Sequence, residues 1–431
     1  MSAPLAPEKM KDRHDIYRFF DGISSEGKDG IDARRTRIPL VKTFLMEHVS
    51  GCGGFSPKPP EKIFNGATGT LLAPIDDSFF SVTAEFNDPD TGKPSRGVVG
   101  FIEAYDERFF AYYTCEPSPE AQRRFGRWIQ QPDLDATWFS SPLLQELWDS
   151  DVSRRGDKRF SKLVFQYESI FEMPSDFAEQ SDPYPEEKDE TDSGSQPLDG
   201  DSPEPERRLA RFSMGDSIGI IKASLTKLQG NYAPLHVLHA LRLPSLTASG
   251  GHDLYQSGQI TNRTDSFEDH RNTARYLYGI YKSVLEYTEK RAWQRTGVTE
   301  KSALTNIDVG GAPLIVLFDE ELRKEVFDRW VSLAFQKRNK FKLWGKPIRL
   351  GPTKVHVYGA DRHLWQPINL EITSKGLVAM LPRGTCGNTF HRLIANIQQY
   401  VSPKIEVWLG AEPINRIVKQ WTNNLEAGGE N

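Results

Sequence analysis

The sequence lacks several features that would define its class at once. It has three cysteines in 431 residues, Cys52, Cys115 and Cys386, and no CxxC pair. So sparse and odd a count argues against a disulfide framework and against a cysteine-only zinc site, and it fits a reducing compartment. The N-terminus has no apolar segment of the signal-peptide kind, and no apolar run is long enough to cross a bilayer. We therefore expect a soluble cytoplasmic protein without membrane contact.

A large net charge is also missing, since the total is only -5, but the charge is sorted along the chain. Residues 176–206 contain twelve acidic residues and one lysine, whereas residues 207–431 contain thirty-one Lys and Arg and twenty acids. The acidic segment is rich in Ser, Pro and Gly and nearly free of aliphatic residues, so it cannot bury enough apolar surface to offset its ordering entropy. We expect a disordered linker at 176–206.

Residues 1–175 carry the pattern of an α+β domain. Short runs rich in aromatic and β-branched residues predict strands of an antiparallel sheet, because turn signals separate them. These runs are 79–86, 97–104, 108–114 and 160–168. Helices are predicted to begin at Ser118 and Ser141, each of which precedes a proline.

The part after the linker divides into two regions by its periodicity. Residues 207–310 are predicted to be mainly helical, with one long helix from Phe267 to about Gln294 behind a capping box that begins at Ser266. From residue 311 to residue 431, strand and helix patterns alternate, with helices predicted at 320–335 and 388–400, and this alternation predicts an α/β layer domain. The whole chain is therefore expected to be a multidomain α+β protein.

A basic stretch follows Asp328, because no acid occurs between that residue and Asp361 although eight cations do. Cations that neutralise phosphates, together with aromatic faces that stack on bases, are typical of nucleic-acid grooves. The alternative is a solvated loop whose lysines lie near a helix C-terminus. The residues predicted to bind nucleic acid are Lys337, Arg338, Lys340, Lys342, Trp344, Lys346, Arg349 and Lys354.

The first functional hypothesis is therefore a non-catalytic, intracellular protein that binds RNA, DNA or another polyanion. Its N-terminal domain would contact a protein partner, as a subunit of a larger assembly. No cofactor is expected, because no cofactor-binding motif occurs.

The second hypothesis is an enzyme that acts on phosphate-bearing substrates. Cys386 and Arg392 have the C-x5-R spacing between a predicted strand and a predicted helix, which is similar to the phosphate loop of cysteine-dependent phosphatases. The resemblance implies that Cys386 is the thiolate nucleophile and that Arg392 holds the phosphate. Thr385 stands where those loops have histidine. The alternative is a Gly/Asn turn in which Asn388 or Thr389 caps the helix.

Histidines supply two further candidates. Arg263 and His270 have the R-x4-6-H spacing seen in helical HEPN ribonucleases, and the resemblance implies a metal-independent catalytic pair. Four of the nine histidines also cluster within thirty-five residues, which makes a divalent-metal site a weak alternative to ordinary core and surface histidines. These four are His236, His239, His252 and His270.

Overall fold

The computed structural model describes most of the chain and confirms the α+β class. The described residues are 10, 12–25, 40–48, 56–65, 69–87, 94–131, 133–150, 152, 156–169, 209–245, 247, 250–301, 304–335, 339–363 and 365–427. Within these ranges the chain forms nine α-helices, two antiparallel sheets and a separate hairpin. The predicted linker at 176–206 lies outside them, and so do Lys337 and Arg338.

The described part of the chain begins and ends with a helix, and further helices lie between the strands in sequence. They are α1 (Arg13–Ser25), α2 (Pro60–Phe64), α3 (Ser118–Ile129), α4 (Ser141–Ser150), α5 (Ile218–Leu228), α6 (Phe267–Ala292), α7 (Lys324–Ala334), α8 (Asn388–Tyr400) and α9 (Ile414–Ala427), and a short 3-10 helix covers Ala233–His236. The predicted long helix is confirmed as α6. Its cap forms as expected, because the Ser266 hydroxyl accepts from the Asp269 backbone N–H at 3.2 Å.

The first sheet has eleven strands in the order β2-β3-β4-β5-β1-β11-β10-β9-β7-β8, with β6 paired to β1. Its strands are β1 (Lys42–His48), β2 (Leu71–Pro74), β3 (Phe79–Asn87), β4 (Pro94–Ala104), β5 (Phe109–Thr114), β6 (Leu134–Ala136), β7 (Phe160–Glu168), β8 (Leu209–Ser217), β9 (Leu238–Pro244), β10 (Gly251–Tyr255) and β11 (Gln259–Asn262). The four strands predicted before the linker correspond to β3, β4, β5 and β7, so they are confirmed.

Strands from both sides of residues 176–206 share this first sheet. Strand β7 pairs with β8 from Phe160 opposite Ser217 to Glu168 opposite Leu209, and β1 pairs with β11. The expectation of a mainly helical region at 207–310 needs correction, because β8 to β11 lie there beside α5 and α6. Strands β10 and β11 are buried at nearly every position, so they show no alternation that would distinguish a strand from a helix. The division of the chain into domains stays a prediction.

The second sheet has seven strands in the order β15-β16-β17-β18-β14-β19-β20, and a two-stranded hairpin precedes it. Its strands are β14 (Leu314–Phe318), β15 (Leu343–Gly351), β16 (Lys354–Asp361), β17 (Gln366–Thr373), β18 (Gly376–Met380), β19 (Ile405–Leu409) and β20 (Glu412–Pro413), and the hairpin consists of β12 (Arg295–Lys301) and β13 (Leu304–Gly310). The helix predicted at 320–335 is present as the shorter α7. The helix predicted at 388–400 is confirmed as α8.

Two apolar clusters hold these layers together. The smaller one lies between α2, α3 and one face of the first sheet, where Phe44, Phe125 and Trp128 pack together. The larger one includes the other face of that sheet, the buried side of α6 and the inner face of the second sheet. Helix α8 is buried at every residue, so its polar side chains must find partners inside the protein.

Candidate nucleic-acid interface and buried ionic cluster

Lys342, one of the predicted phosphate ligands, is directed into the protein. Its Nζ donates to Asp135 Oδ1 at 2.6 Å and to the Ile129 carbonyl at 3.1 Å. Burial lowers the pKa of Lys342, and the Asp135 carboxylate offsets this only in part. This corrects the expectation of a surface cation, because the ammonium group is engaged with the first sheet.

Two other predicted cations are paired on the surface. Arg349 Nη2 donates to Asp328 Oδ1 at 2.6 Å, and Lys354 Nζ lies 2.9 Å from Glu371 Oε1. Such exposed pairs contribute at most about 1 kcal/mol, so either cation can exchange its partner at small cost. The basic stretch contains no acid of its own, but in the fold its cations form ion pairs with acids of neighbouring elements.

Lys346 keeps the exposed position that the sequence predicted. It forms no ion pair with any residue in the described ranges, and in register it lies directly opposite Tyr358 on β16. Lys340 is half-buried and has a partner of its own. Of the predicted cations that the structure describes, Lys346 thus has the charge most available to an incoming anion.

Three large aromatic side chains are exposed at this end of the second sheet. Tyr358 is 73% exposed, Trp344 is 58% exposed, and Trp365, in the turn between β16 and β17, is 55% exposed. Trp344 and Lys346 are two residues apart on β15 and therefore lie on the same face. Tyr358 lies beside them on the next strand, within reach of both side chains.

Strand β15 forms one edge of its sheet and exposes apolar residues on its outer side. Ile348 follows the same alternation as Trp344, Leu350 lies at an irregularity in the pairing of β15 with β16, and each is at least half exposed. His356 and Glu371 lie further along the same face and are joined by a 2.6 Å hydrogen bond. We call this aromatic and apolar strip the β15–β16 face. It consists of Trp344, Lys346, Ile348, Leu350 and Tyr358, and Glu371 forms its acidic boundary.

Cys386 lies in a buried ionic cluster and not at an open loop. Its Sγ donates to Glu47 Oε1 at 2.9 Å, and the same carboxylate oxygen accepts from Arg108 Nε at 2.7 Å. The Arg108 guanidinium also binds Glu289, through Nη2 at 2.5 Å and Nη1 at 3.0 Å. Burial alone would lower the pKa of Arg108, but Glu47 and Glu289 outweigh it and raise that pKa well above its ordinary value.

Arg392 is fully buried in a second ionic cluster. Its guanidinium pairs with Asp135 of the first sheet and with Asp361 of the second, and its Nε donates to the Phe341 carbonyl at 3.2 Å. Burial would raise the pKa of Asp135, but Lys342 and Arg392 lower it far below its ordinary value. The guanidinium that the phosphatase resemblance assigns to phosphate is therefore engaged by two carboxylates.

The residues proposed as helix caps near Cys386 have other partners. Helix α8 is capped by Gly387 without a side-chain hydrogen bond, which corrects the expectation that Asn388 or Thr389 fills this role. The Thr389 hydroxyl instead donates to Asp361, and the Asn388 amide donates to the Ala136 carbonyl at 2.9 Å. These bonds tie the start of α8 to both sheets.

Arg263 and His270 are engaged in separate contacts. Arg263 Nε donates to Asp253 Oδ2 at 3.0 Å. His270 has no exposed surface, and its Nε2 lies 2.7 Å from the Thr43 hydroxyl. Burial holds its pKa well below the ordinary value, so it stays neutral. An RNA strand could not reach this imidazole without local opening.

The four clustered histidines do not form a common site. His252 and His270 are adjacent, with their Nδ1 atoms 3.2 Å apart, and His252 also bonds Asp269 at 2.9 Å. His236 instead lines a separate cleft of about 500 Å³. Over the described ranges, the one group of potential ligand side chains close enough to share an ion contains none of the four. That group is Glu47, His363 and Cys386.

Sequence reasoning missed Tyr358 and Trp365 at the surface, and Glu47 and His363 in the interior. The alternation of buried Val355 and Val357 with less buried neighbours was a detectable signal for Tyr358. No comparable signal exists for Glu47, which is 339 positions away from its partner Cys386.

Comparison with known proteins gives relatives without an assigned role. Residues 251–415 match the family model described as MJECL33-like protein, and this range contains the β15–β16 face. The uncharacterized protein MJECL33 of Methanocaldococcus jannaschii is 25% identical over 339 residues, which cover 69% of this chain and 73% of that protein. No solved structure matches the chain. No helix within the described ranges is both long enough and apolar enough to span a membrane.

Proposed function

We propose that the β15–β16 face binds single-stranded nucleic acid without catalysing a reaction, and that the protein serves as a binding subunit of a larger assembly. The protein partner of the N-terminal part belongs to the same proposal. The contacts of Cys386, Arg392 and His270 inside the protein support a non-catalytic role, because each is occupied by neighbouring side chains.

One observation carries the proposal, which is the exposure of Trp344 and Tyr358 beside Lys346, with the exposed Trp365 in the turn that follows β16. Exposed rings on a sheet can stack on bases, and only unpaired bases offer their faces. Stacking contributes about 1–3 kcal/mol per base. Two stacked bases would therefore account for affinity in the micromolar range once phosphate contacts are added.

The charges near the face predict a modest dependence on salt. Lys346 is free to bind phosphate, and Arg349 and Lys340 lie close enough in the chain to add contacts. For single strands each phosphate contact changes the slope of log affinity against log salt by about -0.7. One to three contacts therefore give a slope of about -1 to -2. A strongly basic groove would give a much steeper one.

The test is fluorescence anisotropy of the full chain with labelled single-stranded RNA and DNA, and with the matching duplexes, at two salt concentrations. The full chain is required because a fragment that begins at Arg207 would lose the strands that pair with β8, β9 and β11. We expect single strands to bind more tightly than duplexes. Each of Trp344→Ala and Tyr358→Ala should weaken binding about tenfold, which corresponds to about 1.4 kcal/mol.

Matched controls come from exposed residues elsewhere. Tyr232→Ala removes another exposed tyrosine, and Lys158→Glu reverses another exposed lysine for comparison with Lys346→Glu. Both control variants should bind like wild type. Absence of binding at micromolar protein and low salt, or equal binding by the Trp344 and Tyr232 variants, would refute the proposal.

A further inference from the structure

We infer that Glu47, His363 and Cys386 form a site for one zinc ion between the two sheets. Glu47 lies on β1, His363 follows β16, and Cys386 precedes α8. One potential ligand atom from each residue lies within 4.8 Å of the others. All three residues are at least 98% buried. This inference does not rest on the proposed nucleic-acid binding.

Unsatisfied polar atoms support the assignment. Among the residues that the structure describes, both ring nitrogens of His363 and the Oε2 atom of Glu47 are buried without a hydrogen-bond partner. A buried polar group without a partner is costly, and such groups are rare in native structures. Coordination of one ion would satisfy Glu47 Oε2 and one nitrogen of His363 together. The other carboxylate oxygen, Oε1, would keep its bond from Arg108.

The charge balance of the cluster also favours a divalent cation. Glu47 and Glu289 carry two negative charges, and Arg108 between them carries one positive charge. On binding, the Cys386 S–H bond breaks, its proton leaves to solvent, and the sulfur lone pair forms the bond to the metal. The thiolate brings the local charge to -2, which one divalent cation neutralises. The neighbouring Arg392 cluster is already balanced, since Asp135 and Asp361 face two cations there.

The ligand types indicate zinc among the common divalent metals. Sulfur, imidazole nitrogen and carboxylate oxygen are the three donors that zinc takes in proteins, whereas magnesium and calcium prefer oxygen alone. A supporting contact is already in place around the thiol, because the guanidinium of Arg108 lies 3.6 Å from the sulfur. The ion would join the first sheet, through Glu47, to the second sheet, through His363 and Cys386.

The experiment is elemental analysis of the full-length protein, purified from zinc-containing medium and dialysed against a chelator. Because the site is buried, we expect the ion to be incorporated during folding and to be released slowly. Wild type should retain about one zinc per chain. His363→Gln and Cys386→Ala should lose it, with affinity reduced more than about 100-fold. His363→Gln is the sharper variant, because the ring it replaces makes no hydrogen bond with any residue in the described ranges.

Cys115→Ala is the matched control, because Cys115 is also a buried cysteine but lies outside the cluster. Protein produced with cobalt in place of zinc should show a thiolate-to-cobalt charge-transfer band in wild type and in Cys115→Ala. The band should be absent in Cys386→Ala. Wild-type protein without bound zinc, cobalt or another divalent metal would overturn the inference, even if every variant failed to fold. Equal metal content in wild type and folded His363→Gln would do the same.

Discussion

Replacement of Arg392 by methionine should destabilise the protein by about 3–5 kcal/mol, the cost of removing one partner from a buried ionic cluster. Arg392 has no exposed surface and pairs with two buried carboxylates, those of Asp135 and Asp361. After the substitution Asp135 would keep Lys342 as a partner, but Asp361 would lose the one cation that pairs with it within the described ranges. The loss is a large fraction of the 5–15 kcal/mol that a typical protein has in total.

Urea unfolding followed by tryptophan fluorescence and circular dichroism measures this cost. The matched control is Lys404→Met, which breaks the exposed pair with Asp319 and should cost about 1 kcal/mol or less. A double variant with Arg392→Met and Asp361→Asn should recover part of the loss, because the carboxylate that lost its cation is removed while Asp135 keeps Lys342. A free energy of unfolding for Arg392→Met within about 1 kcal/mol of wild type would show that the cluster is not the buried connection described here.

Two further predictions use the same urea assay. Burial lowers the pKa of His391 to about 4, whereas the unfolded chain binds this proton near pH 6.5. As pH falls from 7 to 4, the free energy of unfolding of wild type should therefore decrease by up to about 3 kcal/mol more than that of His391→Gln. Equal pH profiles of the two proteins would contradict this. Gly258 has φ +76, and an added Cβ would lie 2.1 Å from Thr137 Oγ1, so Gly258→Ala should destabilise the protein by about 1–3 kcal/mol. Gly230→Ala has open space around its Cβ and should be neutral; a similar loss in both variants would show that Thr137 is not the cause.

Several helices and strands were predicted correctly because the sequence signals for them lie within the element itself. Helix α6 has a serine cap and an apolar stripe along its own sequence, and β3 and β5 are short aromatic runs bounded by turns. Each of these signals lies within one element. The pairing of β7 with β8 across residues 176–206 has no such signal, because it depends on the whole sheet.

The candidate face shows why exposure could not be predicted from composition. On β15 the large apolar residues Trp344, Ile348 and Leu350 face solvent, while Gly345 and Pro347 alternate with them. The usual pattern of apolar residues facing inward is thus reversed, and a strand was not predicted there. The basic stretch contains no acid in sequence, but the acids that pair with its cations come from other elements.

The spacing of Cys386 and Arg392 did not predict which carboxylates these two side chains would contact. Both residues lie at the junction of the sheets, but Cys386 bonds Glu47 while Arg392 bonds Asp135 and Asp361. Residues six positions apart around a helix start can face different neighbours. No pattern in the sequence predicts that the contacting carboxylates come from distant strands.

The pairing of β7 with β8 means that cleavage of the chain within residues 176–206 would not separate it into independent parts. The two fragments would remain joined by a ladder that runs from Phe160 opposite Ser217 to Glu168 opposite Leu209. Unfolding of the cleaved protein would release two molecules in place of one, so its melting temperature should rise with protein concentration, as it does for an obligate heterodimer. The same property would allow the protein to be produced as two polypeptides that assemble into one sheet.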